Sequence, residues 1–245
     1  VAEGAFTDTD GNTNTASATT TILVDTVAPN APTVSLSASA GSPVSKAEAT
    51  SAFGLVDVTG EVGSSINVLF AGSNGQSLTK TASGPNDSIQ LTESDLTTLG
   101  DGDIAVTATQ TDTAGNQSSV SSPLTFVLDT IAPEVTGFSA NSPAGEYGLG
   151  DTIILIASLS EPVTAGQSFF VTLNTGTSVE FTSAGGGLSL TGSYTVAGTH
   201  NANPLAITSI VSSGTVADTS GNPLSTQLPS QVTFDGIEID TIAPQ

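Results

Sequence analysis

"TDTAGNQSSVSSPLTFVLDTIAP", residues 111–133, holds both signals that set the architecture of this chain. Its opening returns as "TDTDGN" at 7–12 and "ADTSGN" at 217–222, and its close, "DTIAP" from Asp129, returns from Asp25 as "DTVAP" and from Asp240 as "DTIAP". Asp8 to Asp112 is 104 residues, and so is Asp25 to Asp129; the next intervals are 106 and 111, to Asp218 and Asp240. A period of about 100 residues is the size of a whole sandwich domain and far too long for a solenoid unit.

Within each period the pattern is that of strands. "VDVTGEVGSSINVLFAG" and "DIAVTATQTD" alternate apolar and polar residues, as do "TIILIASLSEPV" and "SFFVTLNT", with Gly, Asn and Pro clusters between the runs. Only "TESDLTTL" (92–99) reads as a helical turn, with Thr92 or Ser94 as its cap. The expected fold class is all-β: tandem immunoglobulin-like Greek-key sandwiches in a rod-like array. Residues 1–25 read as the C-terminal hairpin of a truncated preceding domain, 26–129 and 130–240 as two sandwiches of different variety, and 241–245 as the start of the next linker. A lone hairpin is marginal in water, which leaves 1–25 either frayed or paired with a neighbouring chain. "DTVAPNAP" and "DTIAPE" are short linkers stiffened by Pro, unlike the Gly/Ser type.

Charge narrows the function. The chain has 23 acids against two lysines, Lys46 and Lys80, and a formal net charge of −21. Nucleic acid and anionic membranes are poor partners for such a surface, because phosphate binding needs Lys and Arg. No run approaches the ~20 apolar residues of a membrane helix. With no cysteine, disulfides play no part. Most of the acids lack a basic partner in the chain, so a cation from outside is the natural means of neutralising any that converge.

"TDTAGNQSSVSSPLTFVLDTIAP" resembles the end of the bacterial Ig-like repeats of giant secreted surface adhesins, the biofilm-associated and type-I-secreted kinds. Residues 26–129 match that type over most of their length. Residues 130–240, with "GEYGLGDTIILIASLSEPV" and "VADTSGNPL", resemble a sister variety. The resemblance implies a secreted, cell-surface setting and an extender role, with neighbouring repeats of the same chain as partners and calcium at or near domain junctions.

The spacing carries its own argument for a metal. In a seven-stranded sandwich the BC and FG loops lie at the end where the chain enters. "TDTAGN" is then the FG loop of residues 26–129, Glu61 falls in or near the BC loop, and Asp25 arrives at the same end. The expected trio is Asp25, Glu61 and Asp112 at one seam and Asp129, Glu161 and Asp218 at the next, with Asn116, Asn222 and turn carbonyls completing the shells. Oxygen-only ligands favour Ca²⁺, which takes about 6–8 oxygens in flexible geometry. One His and no Cys leave zinc or copper almost nothing to hold. Asp101 and Asp103 of "GDGD" should face the Asp129 seam, either as further ligands or as holders of a second ion, whereas the corresponding turn after Gly198 has His200, Asn201 and Asn203 in place of acids.

Enzymatic readings are poorly furnished. No serine lies in a G-x-S-x-G elbow, and His200 has no companion for a triad. Paired carboxylates for glycoside cleavage would want an aromatic cleft, and the chain has no Trp and two Tyr. The expectation is a non-enzymatic stalk segment. The alternative is an adhesive module gripping a glycan or a host or surface protein, with residues 130–240 as the longer and more divergent piece.

Overall fold

The computed structural model of the chain describes residues 1–185, 187–211, 216–230 and 232–242. Alternating apolar residues become strands, and Gly- and Asn-containing turns separate them. The first sandwich runs β1 (Thr33–Leu36), β2 (Val44–Ser45), α1 (Lys46–Ala49), β3 (Val56–Thr59), β4 (Ser65–Gly72), β5 (Ser77–Thr81), β6 (Asn86–Ile89), α2 (Glu93–Leu99), β7 (Gly102–Thr111) and β8 (Leu124–Asp129). One sheet has the order β1-β3-β6 and the other β2-β8-β7-β4-β5. Pairing is antiparallel except where β2 lies parallel to β8, with Val44 opposite Leu128 and Ser45 opposite Asp129. The chain thus changes sheet between β1 and β2, which sets α1 beside the end of the last strand.

In β4 the alternation is unbroken, so Ile66, Val68 and Phe70 face the core while Ser65, Asn67 and Leu69 face outward. Helix α2 closes one edge of that core with Leu96 and Leu99. Its cap is Thr92, reciprocated by Asp95 in a capping box.

The second sandwich comprises β9 (Val135–Ala140), β10 (Gly145–Tyr147), β11 (Thr152–Leu159), β12 (Ser168–Leu173), β13 (Ser178–Ser183), β14 (Ser189–Thr195), β15 (Leu205–Val211), β16 (Thr233–Phe234) and β17 (Ile237–Ile239). Here β13 pairs with both β12 and β14, so a single ladder β16-β15-β12-β13-β14-β11-β9 wraps the core. Phe181 stacks on Phe169 at 5.4 Å between ring centroids. Opposite it sits Gly192, where a Cβ would come within 3.0 Å of the Phe181 ring. Strand β10 runs parallel to β17, repeating the β2–β8 arrangement. Each sandwich has its own buried cluster, one drawn from residues 44–128 and the other from 135–239.

Residues 1–32 carry no strand beyond an isolated Thr7–Thr13 bridge. The strand expected after "TDTDGN" does not form, and Ile22, Leu23 and Val24 are 78%, 94% and 79% exposed. Among the described residues no sheet edge lies beside it, and a strand is stabilised by its neighbour's ladder. Among the described residues no helix is long and apolar enough to cross a membrane.

Candidate metal centre

The recurring acidic loop is first of all a turn built by its own side chains. In each copy the Asp Oδ1 accepts backbone N–H groups two and four residues on. Asp8 takes those of Asp10 and Asn12, both at 2.9 Å, and Asp112 takes those of Ala114 at 2.9 Å and Asn116 at 2.8 Å. Asp218 takes those of Ser220, Gly221 and Asn222 at 2.8, 2.7 and 2.9 Å. In every copy the Asp Oδ2 accepts from the Asn side-chain amide, at 3.0 Å in the first and 2.9 Å in the other two. This is the Asp-and-Asn turn chemistry expected of such letters. The linker motif repeats just as closely: Asp25, Asp129 and Asp240 each accept the backbone N–H two residues on.

What differs is what each loop reaches. Among the described residues the hydrogen bonds of Asn12 stay within its own loop. Asn116 also donates to the Asp25 carbonyl at 3.2 Å. Asn222 donates to the Asp129 carbonyl at 2.9 Å and accepts the backbone N–H of Lys46 at 3.2 Å. Asn222 is 3% exposed, so these bonds lie inside the seam between the two sandwiches. Ser220 adds a hydrogen bond from its hydroxyl to Asp129 Oδ2 at 2.6 Å.

At that seam carboxylate oxygens of Asp129, Glu161 and Asp218 lie within 4.8 Å of one another. Asp218 is buried and the other two half-buried. Glu161 follows β11, and its Oε1 is a buried oxygen with no hydrogen-bond partner among the described residues. Burial, then the charges of Asp129, Asp218 and Asp101, pushes its carboxyl above the ordinary 4.5. Neither lysine relieves the charge, because Lys46 Nζ is paired with Glu93 at 2.7 Å and Lys80 Nζ with Asp95 at 2.5 Å. Asp101 lines the same crevice as Asp129 and Glu161. Its Oδ1 accepts both the N–H and the hydroxyl of Thr130, at 2.9 and 2.8 Å. Asp103 is exposed on β7 and lines a different hollow, with Ser73 and Thr125.

The residues fit a hard cation. They are carboxylates, one oxygen is buried and unpartnered, and a like-charged cluster of this kind costs energy until a positive charge joins it. Among the described residues this is the one group of three acidic or His side chains so close together. Asp25, Glu61 and Asp112 are not gathered in the same way. Glu61 Oε1 instead accepts the backbone N–H of Asn30 at 3.0 Å. Its own N–H donates to Gln110, whose amide donates to the Asn30 carbonyl at 2.6 Å. Asp25 is exposed, and Asp112 is held below its ordinary 3.8 first by the Asn116 side chain. Asn116 and Asn222 turn their amide groups to neighbouring acids and backbone, so both serve as fasteners of the loop.

Sequence reasoning missed the roles of Ser220, Thr130 and the Lys46 backbone. The legible hint was Thr after each linker Asp. At the following junction Asn201 Oδ1 accepts the Thr241 N–H at 3.1 Å, the uncharged counterpart of Asp101 and Thr130. His200 is held by Ala197 N–H and the Tyr194 hydroxyl at Nδ1 and by Thr177 at Nε2, so both ring nitrogens serve the loop.

No protein-family model and no curated protein matches the chain. A solved tetra-tandem repeat in the extending region of a large adhesion protein is similar to it, at 18% identity and a TM-score of 0.31 over 88% of this chain. The chain spans 55% of that structure's length, and a likeness at this level carries no functional argument.

Proposed function

We propose that this chain is a stalk segment of a bacterial cell-surface adhesin in which Ca²⁺ stiffens the Asp129 seam. In this reading 26–129 and 130–240 are structural spacers, 1–25 belongs to a preceding repeat and 241–245 opens the next linker. The setting is extracellular, the partners are adjoining repeats, and no reaction is catalysed. The observation that carries the metal is the convergence of Asp129, Glu161 and Asp218 around an unpartnered buried oxygen. The stalk role draws on the repeating period and on the resemblance of residues 111–133 to adhesin repeats.

The mechanism is linkage. Asp129 ends β8 of the first sandwich, and Glu161 and Asp218 belong to the second, so an ion held by all three favours the docked pair over a free one. A bound calcium supplies positive charge to three oxygens that otherwise repel. It stabilises the arrangement by RT ln(1 + [L]/Kd), and extracellular calcium modules work at Kd of roughly 10⁻⁴–10⁻³ M. Calorimetric calcium titration tests this reading. One site per chain is expected, with Glu161→Gln weakening it at least tenfold and Asp112→Asn leaving it unchanged. Equal affinity in Glu161→Gln would remove the site.

A further inference from the structure

The same seam carries a fastening that needs no ion. We infer that Asn222 is a metal-independent bolt that keeps the two sandwiches docked whether or not the carboxylates are neutralised. This goes beyond the calcium reading and does not require it.

Ser45 caps α1 by accepting the Glu48 N–H, and Glu48 returns the bond to Ser45. Lys46, the first helical residue, is left with an N–H that no intrahelical carbonyl can reach. That N–H donates to Asn222 Oδ1 across the seam, 176 residues away in sequence. The two side-chain amide hydrogens of Asn222 go to Asp218 Oδ2 and the Asp129 carbonyl. One buried, neutral side chain therefore joins three segments: the first turn of α1, the linker, and the loop of the second sandwich. Both amide hydrogens and the amide oxygen are engaged, so parting the seam at α1 gives up the bond to Oδ1 unless water replaces it. Being uncharged, Asn222 adds nothing to the repulsion that a cation would have to offset. Asn116, its counterpart, makes only the loop and linker bonds among the described residues. The register of β2 beside β8 is what delivers α1 to this point, since Ser45 is opposite Asp129.

The test uses the whole chain in EDTA. Amide exchange at Lys46 should be slow in the parent and at least tenfold faster in Asn222→Ala. Lys46→Pro removes the N–H at a first helical position, where proline is accepted, and alters no residue of the second sandwich. It should broaden the distribution of maximum dimensions in small-angle scattering. Lys46→Ala, which loses the Glu93 ion pair and keeps the N–H, should scatter like the parent. If Asn222→Ala unravels its own loop, the proline and alanine pair still decides the matter. Identical scattering from that pair overturns the bolt, as does fast Lys46 exchange in the chelated parent. Glu161→Gln in EDTA separates the two ideas: Lys46 should stay protected there, even if calcium binding has been lost or was never present.

Discussion

The seams before and after the first sandwich are written in nearly the same letters and assemble differently. Both have a junction Asp in an Asx turn, a Glu just after the third strand of the following sandwich and an Asp–Asn loop. After the sandwich, Glu161 faces Asp129 and Asp218 with a bare oxygen. Before it, the Asn30 backbone takes Glu61 and Gln110 braces both, leaving Asp25 in solvent. The difference teaches that of two similarly placed Glu side chains, the one the backbone has not already engaged is the candidate ligand. A Glu that accepts an N–H has a partner; a Glu with a buried, unpartnered oxygen is left for a cation.

The sharpest way to break this contrast is to heat the chain with and without calcium. At calcium near 100 times Kd the ion should add about 2.7 kcal/mol to the unfolding free energy of the second sandwich. Glu161→Gln should cut that gain to about half or less, and Glu61→Gln should keep it. A calcium gain that survives Glu161→Gln and disappears in Glu61→Gln would reverse the assignment of the two seams.

A smaller effect lies in the pH dependence without metal, where the seams have opposite signs. Glu161 holds its proton more tightly in the fold than in the unfolded chain, because of burial first and its acidic neighbours next. It therefore favours the fold at low pH, and the advantage is lost as pH rises from 4.5 through the raised value. Asp112 is lowered, chiefly by the Asn116 side chain, so its contribution is present above 3.8 and lost as pH falls through the lowered value. Chelated Glu161→Gln should lose the decline above 4.5 and keep the acid limb. Calcium should cancel that decline in the parent, since the ion requires the ionised carboxylate. A parent and variant with superimposable stability–pH curves in EDTA would show that Glu161 is not under strain.

Much of the fold was legible because its causes are local. Alternation in "SINVLFAG" and "TIILIASL" dictates one buried face, and Thr92 three residues before Asp95 specifies the cap of α2. The Asp-to-Asn spacing of the loops likewise writes its own hydrogen bonds. What was not legible depends on distant partners. Nothing in "TASATTTILVD" says that it will find no strand partner among the described residues, and nothing in β13 says that it will pair on both sides. The fate of Glu61 is set by Asn30, 31 residues upstream, and the use of Asn222 by a helix 176 residues upstream. Both partners are backbone N–H groups, which any residue but proline offers, so their letters gave no warning.

The most direct measurement is anomalous diffraction from crystals of the chain grown in calcium. One calcium peak is predicted, at about 2.3–2.6 Å from oxygens of Asp129, Glu161 and Asp218. A map with no peak between those side chains, or with its peak between Asp25, Glu61 and Asp112 instead, would contradict the account.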